Sequence, residues 1–122
     1  MAESGMLDKV ASFRNGEDLR VMYVGEGASG EAILREDLCG PSVVDAYGAD
    51  AARLQVNILG DWGATLKRGL IEVFGAKDLR EFAADEKNDI LDLMDLCDRE
   101  GLRYQYFSLD SGGVAGMRPA RE

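Results

Sequence analysis

The stretch LRVMYVGEGASGEAI, residues 19–33, decides how the chain is arranged, because it joins an apolar segment to a glycine-rich one. Residues 19–24 are typical of a buried strand, and residues 31–38 predict a helix for which Ser29 is a suitable N-cap. Three glycines between the two segments have the spacing G-x-G-x-x-G: Gly25, Gly27 and Gly30. Loops of this spacing bind the pyrophosphate of a dinucleotide at the N-terminus of the following helix. The stretch therefore indicates a strand, a phosphate-binding turn and a helix.

Segments with helical and strand patterns alternate through the rest of the chain. The predicted helices cover residues 3–14, 42–48, 64–74 and 79–100. The further predicted strands cover 53–61, whose polar alternation favours a sheet edge, and 102–109. Parallel strands need a crossover, usually a helix. The order therefore predicts a single compact α/β domain over 1–122, of two or three layers, with a small, mostly parallel sheet flanked by helices and a glycine-rich C-terminal tail at 111–122.

Each predicted strand is followed by glycine and an acidic residue, and parallel strands would bring these ends to one edge, where α/β sheets bind ligands. The edge collects Gly25, Glu26, Gly27, Ser29, Gly30, Asp61, Trp62, Asp110, Ser111, Gly112 and Gly113. Neighbouring carboxylates of Glu26, Asp61 and Asp110 would repel one another unless a cation or a basic group neutralised them. This predicts a ligand or partner edge. The alternative is that these residues only form turns and caps.

A nucleotide cofactor is opposed by two features of this edge. Dinucleotide sites place an acidic residue about 20 positions beyond the glycines. The candidate, Asp61, lies 34 positions after Gly27. Glu26 would also put negative charge inside the phosphate loop. We therefore expect no cofactor.

Charge and composition exclude several function classes. The 122 residues include 23 acidic and 14 basic side chains, a net charge of −9. This excess disfavours nucleic acid and anionic membranes as partners and favours a basic protein surface or a cation. The chain contains no histidine, so it lacks Ser-His and Cys-His catalysis and the usual zinc sites. We expect a protein that is not catalytic alone.

The sequence favours a cytoplasmic location. It contains no apolar run of membrane-spanning length, and its first residues, MAESGMLDKV, lack the features of a signal peptide. Cys39 and Cys97 follow no metal-binding or redox spacing, which indicates reduced thiols rather than a disulfide framework.

The predicted helix at 79–100 carries a row of acidic residues: Asp85, Asp89, Asp92, Asp95 and Asp98. Such a face would attract a basic partner and speed its approach. A solvated face opposite the apolar stripe explains the same residues without a partner.

The order of strand, helix, strand and glycine turn from GADAARLQVNILGD (48–61) to GLRYQYFSLDSGG (101–113) resembles the later part of the chemoreceptor glutamine deamidases. Those enzymes use a Cys-His pair. Because this chain has no histidine, the resemblance assigns no role to any of its residues.

The sequence thus predicts an acidic cytoplasmic accessory or regulatory protein that binds another protein, and leaves homodimerisation open. The alternative is an α/β enzyme that binds a small ligand or a divalent cation at the carboxyl ends of its strands. Oxygen ligands alone would suit Mg²⁺ or Ca²⁺.

Overall fold

A computed structural model describes residues 7–48, 50–110 and 115–118, without the side chains of Tyr47, Asp110 and 115–118. The described strands are β1 (Leu7–Asn15), β2 (Asp18–Glu26), β3 (Ala32–Cys39), β4 (Ala51–Ile58), β5 (Tyr104–Asp110) and β6 (Ala115–Arg118). The described helices are α1 (Pro41–Tyr47), between β3 and β4, followed by α2 (Gly63–Phe74), α3 (Leu79–Ala83) and α4 (Ile90–Glu100), which lie between β4 and β5.

All six strands form one sheet in the order of the chain, and every neighbouring pair is antiparallel. The predicted mostly parallel sheet flanked by helices is therefore wrong. The first three strands are joined by short turns, which only antiparallel neighbours can use. The helices are inserted in the two connections on either side of β4.

The helices cover one face of the sheet, and the core lies between these two layers. Alternate residues of the central strands supply the sheet side of the core: Met22, Val24, Leu34, Leu54, Val56 and Ile58. The helices supply Leu66, Leu70, Phe82, Ile90, Leu93 and Cys97. Phe74 and Phe82 add an edge-to-face contact, with ring centroids 4.9 Å apart.

The predicted helix at 31–38 is strand β3. Ala32 and Leu34 face the core alternately with residues on the other side of the sheet, as a strand requires. The next core position holds a charged residue, Glu36, which is only 4% exposed. Ile33 is buried from the opposite side. Glu36 points towards the core and Ile33 points away from it. The alternation of apolar and polar residues that identifies a strand is therefore not visible in the sequence of β3.

The predicted helix at 3–14 falls mostly on strand β1, and residues 3–6 lie outside the described range. The pairing of β1 with β2 shifts register between Lys9 and Ala11, so one extra residue enters the strand there. Val10 and Phe13 both pack against the core. Their spacing of three imitates a helical face.

The predicted helix at 79–100 is two helices, because α3 ends at Ala83 and α4 begins at Ile90. Its C-terminus is as expected, since Gly101 follows α4 with a φ of 72°. The elements predicted at 42–48, 64–74 and 102–109 correspond to α1, α2 and β5, whose observed bounds differ from the predicted ones by at most two residues. The strand predicted at 53–61 is β4, which lies inside the sheet between β3 and β5 rather than at its edge.

Candidate functional site

The glycine spacing forms a β-hairpin loop rather than a phosphate-binding turn. The Gly27 amide donates to the Glu31 carbonyl (2.9 Å) and the Gly30 amide to the Gly27 carbonyl (3.0 Å). The Ser29 amide donates to Oε1 of Glu31 (2.9 Å). The chain's own carboxylate thus uses a loop amide, and a strand follows instead of a helix. The predicted N-cap role of Ser29 is therefore wrong.

Trp62 ties this loop to the start of α2. Its indole Nε1 donates to the carbonyl of Gly30 (2.8 Å), and the ring is half-buried. Asp61 beside it is exposed. The last residue of β2, the first residue of β3 and the last residue of β4 lie at the same end of the sheet. Glu26, Asp61 and Trp62 are therefore at that end.

Asp110 lies at the opposite end of the sheet. Tyr104 of β5 pairs with Ile58, whereas Asp110 pairs with Ala52. At about 3.4 Å per residue, the length of β5 separates the two ends by about 20 Å. The structure therefore places the backbone of Asp110 far from Glu26 and Asp61. Ser111, Gly112 and Gly113 lie outside the described residues.

A cleft with a volume of about 580 Å³ lies on the helix side of the sheet, beside the hairpin loop. Three of the predicted edge residues line it: Gly25, Glu26 and Trp62. The other wall belongs to α2 and to the first residues of α3. The strand-end pattern thus predicted one side of this cleft but not the side that the helices supply.

The acidic residues at 85–98 have local structural roles. Asp89 is the N-cap of α4 and accepts from the Asp92 amide (3.1 Å), while the Asp92 carboxylate accepts from the Asp89 amide (3.0 Å). Asp85 lies before α4 and accepts from the Lys87 amide (3.0 Å). Burial raises the pKa of Asp92, and the charges of the neighbouring acids add to this shift. The predicted acidic face is therefore largely a set of capping and turn interactions.

The last two acids of this row differ from each other. Asp98 accepts from the hydroxyl of Tyr104 (3.1 Å), which joins α4 to β5. Asp95 is the one member of the row whose side chain is exposed.

A buried polar network that the sequence analysis missed joins the sheet to α4. Oε1 of Glu36 accepts a hydrogen bond from the Ile90 amide (3.1 Å). Nη1 of Arg20 lies 3.9 Å from Oε2 of Glu36. Arg20 also donates to the carbonyl of Asn88 (2.9 Å). Burial raises the pKa of Glu36, and the positive charge of Arg20 opposes that shift. Glu36 would have indicated a buried polar contact only if residues 32–39 had been recognised as a strand.

The other side of the sheet forms what we call the open face: the side chains of β1 to β5 that point away from the helices. A row of paired positions crosses its centre: Tyr23, Arg35, Gln55 and Phe107. The guanidinium of Arg35 stacks 4.1 Å from the ring centre of Tyr23. Val21 and the half-exposed Leu109 lie beside this row. Within residues 7–48, 50–110 and 115–118, no helix covers this face.

The open face is basic, although the whole chain is acidic. Its described side chains include four cations, Lys9, Arg14, Arg35 and Arg53, against one anion, Asp37. Oδ1 of Asp37 lies 3.0 Å from Nε of Arg53 and 3.4 Å from Nε of Arg35. The net charge of +3 (four minus one) contrasts with −9 for the chain, so the acidic excess lies elsewhere.

Two further findings concern membranes and metals. Among the helices that the structure describes, none has both the length and the apolar character needed to cross a membrane. In the same residues, no three acidic or cysteine side chains are grouped so that they could hold a metal ion.

No protein-family model, no curated protein and no solved structure matches the chain. The resemblance over 48–61 and 101–113 gains no support from these comparisons. The function is therefore inferred from the geometry of the chain itself.

Proposed function

We propose that the chain is a cytoplasmic accessory protein that binds another protein through its open face and is not catalytic alone. The observation that carries this proposal is the row of aromatic and guanidinium side chains across the open face, which no helix covers within the residues that the structure describes. Aromatic residues and arginine are enriched in protein interfaces, and lysine and acids are depleted there. The centre of the open face has this composition, with Tyr23, Arg35 and Phe107 on neighbouring or nearby strands.

The size of the open face suits a protein partner. Five strands extend about 20 Å across the sheet and about 25 Å along it, so the face offers on the order of 500 Å² in projection. Stable interfaces bury about 800 Å² on each partner. Most of the open face, together with its rim, would therefore take part in one interface.

The charge of the open face favours an acidic contact surface on the partner. The net charge of −9 on the whole chain favours a basic partner. The arginines at the centre, Arg35 and Arg53, instead favour carboxylates opposite them. Two copies of the chain packed through this face would bring like charges together, which favours a different protein as the partner.

The alternative from the sequence, an enzyme that binds a cation between Glu26, Asp61 and Asp110, has lost the geometry on which it depended. The small-ligand form of that alternative is supported by the cleft beside the hairpin loop, which Gly25, Glu26 and Trp62 line.

Affinity capture with two matched variants tests the proposal. The open-face variant carries Tyr23→Thr and Phe107→Thr, which keep residues suited to strands. The control carries Ile71→Gln and Leu91→Gln, which replace exposed apolar residues on the helical side, 51% and 59% exposed. Both must first show cooperative unfolding. We expect partners captured from a native lysate by the wild type and the control to be lost with the open-face variant. Equal capture by all three would reject the open face as the interface.

A further inference from the structure

The cleft beside the hairpin loop has the dimensions of a small-molecule site. Its volume of about 580 Å³ falls within the roughly 300 to 1,000 Å³ typical of ligand pockets. It lies on the helix side of the sheet and is therefore separate from the open face.

The floor of the cleft is apolar. Five buried side chains from the sheet and the helices form it: Val24, Ala32, Leu66, Leu70 and Leu79. The half-buried ring of Trp62 extends this apolar surface, and the hydrogen bond from its indole nitrogen to the Gly30 carbonyl (2.8 Å) holds the ring in place. A ligand with an apolar body would remove this surface from water and would gain affinity from its burial.

The charged side chains around the cleft balance one another. Three are cations and three are anions: Lys67, Lys77, Arg80, Asp8, Glu26 and Asp78. Their charges sum to zero (three minus three), and all six residues are exposed. Arg80 and Asp8 form an ion pair. An ionic group on a ligand would meet as many like charges as unlike ones and would lose part of its hydration at the mouth. The cleft therefore favours an uncharged ligand.

We propose that this cleft binds a small, uncharged molecule that is mainly apolar. The apolar body lies on the floor of the cleft, against Trp62 and the two leucines of α2, Leu66 and Leu70. An uncharged polar group, such as a hydroxyl, lies at the mouth, where water can still hydrogen-bond to it. This site does not depend on the open face, so either proposal can fail without the other.

Titration of the ¹⁵N-labelled protein with matched probes tests the site. The probes 4-phenylbutanol, 4-phenylbutyrate and 4-phenylbutylamine share one apolar body and differ in charge, and 2-phenylethanol has a shorter apolar body. We expect saturable shifts of the amide signals in 24–26, 62–70 and 77–80. The longer alcohol should bind on the order of tenfold more tightly than the shorter one, because it buries more CH₂ groups. The two ions should have equal affinities, about fivefold weaker than that of the longer alcohol, because their charged groups lose hydration.

Single charge variants test whether the charges around the cleft cancel. Lys67→Gln leaves an excess of one anion and should make 4-phenylbutylamine bind about twofold more tightly than 4-phenylbutyrate. Glu26→Gln leaves an excess of one cation and should reverse that order. Neither variant should change the affinity for 4-phenylbutanol. Lys87→Gln, which removes a lysine away from the cleft, is the control and should leave the affinities of the two ions equal.

A steric variant tests the location. Gly63 lines the cleft, its backbone is helical, and a Cβ added there would meet no atom within 4 Å. Gly63→Phe should therefore block all the probes without distorting the backbone. Ile71→Phe is the matched control, because Ile71 is an exposed residue of the same helix that does not line the cleft. This control should bind the probes as the wild type does.

The proposal is wrong if the wild type shows no saturable shifts, if the shifts lie outside the cleft, or if Gly63→Phe leaves them unchanged. Equal binding of the two alcohols would show that the apolar floor does not supply the affinity. An ion that binds the wild type as tightly as 4-phenylbutanol would show that the cleft does not select an uncharged ligand.

Discussion

At the scale of single residues, the buried carboxylate of Glu36 has the clearest energetic consequence. Burial raises its pKa above the usual value of 4.5. The folded chain then holds this proton more readily than the unfolded chain does. The contribution of Glu36 to the free energy of unfolding is therefore fully present below pH 4.5 and is lost as the pH rises through the raised pKa. Arg20, Asp89 and Asp92 are the charged groups that act on it.

Glu36→Gln should remove this pH dependence. Glutamine keeps an oxygen that can accept from the Ile90 amide but does not ionise. The free energy of unfolding of the variant, relative to the wild type, should rise as the pH is raised above 4.5. Urea unfolding at several pH values measures this difference, with Glu72→Gln on the exposed surface of α2 as the control. A relative stability that falls with rising pH would contradict the assignment.

The two cysteines should differ in reactivity. Burial raises the pKa of Cys97 to about 12, and the charge of Asp98 adds to the shift. Cys39 is exposed, and both thiols are free. A thiol reagent at mildly alkaline pH should modify Cys39 in the native protein and both cysteines in denaturant. Rapid modification of both thiols in the native state would show that Cys97 is not buried.

At the scale of elements, α4 depends on its N-terminal cap. Asp89→Ala removes the side chain that accepts from the Asp92 amide. The loss should lower the free energy of unfolding by about 1 to 2 kcal/mol. Asp95→Ala, on the exposed surface of the same helix, should change it by less than about 0.5 kcal/mol. Equal effects of the two substitutions in urea unfolding would argue against the cap.

Elements with an unbroken period were predictable from the sequence, and elements with an interrupted period were not. α2 has a regular apolar face and ends at Gly75, whose φ is 67°. β3 was mistaken for a helix because Glu36 occupies a core position. β1 was mistaken for a helix because a bulge after Lys9 shifts its register.

The sequence predicted correctly which end of the sheet holds Glu26 and Trp62, but it did not predict the end that holds Asp110. Glu26 is the last residue of β2, and Trp62 follows β4. These two strands run in the same direction in the predicted parallel sheet and also in the observed sheet, where β3 lies between them. Asp110 changes ends when β5 is antiparallel. The direction of β5 follows from its antiparallel pairing with β4 after the connection through α2, α3 and α4, and the strand and helix patterns of the sequence do not fix that direction.

At the scale of the whole molecule, charge is divided between the two sides of the sheet. The open face carries a net charge of +3 from its described side chains, Lys9, Arg14, Arg35 and Arg53 against Asp37. Repulsion between two such faces should keep the purified protein from associating through them. Light scattering after size exclusion should give the mass of one chain at low salt. A stable dimer that Tyr23→Thr with Phe107→Thr dissociates would show that the open face binds a second copy instead.

Site-specific photocrosslinking tests the central claim, that a protein partner covers the open face, most directly. A photoreactive phenylalanine analogue is placed at Gln55, which lies between Arg35 and Phe107 at the centre of the face. The control carries it at Leu91, an exposed position on the helical side. Irradiation in native lysate should give a discrete adduct with another protein from position 55 and none from position 91. An adduct from position 91 alone, or no adduct from position 55, would contradict the account.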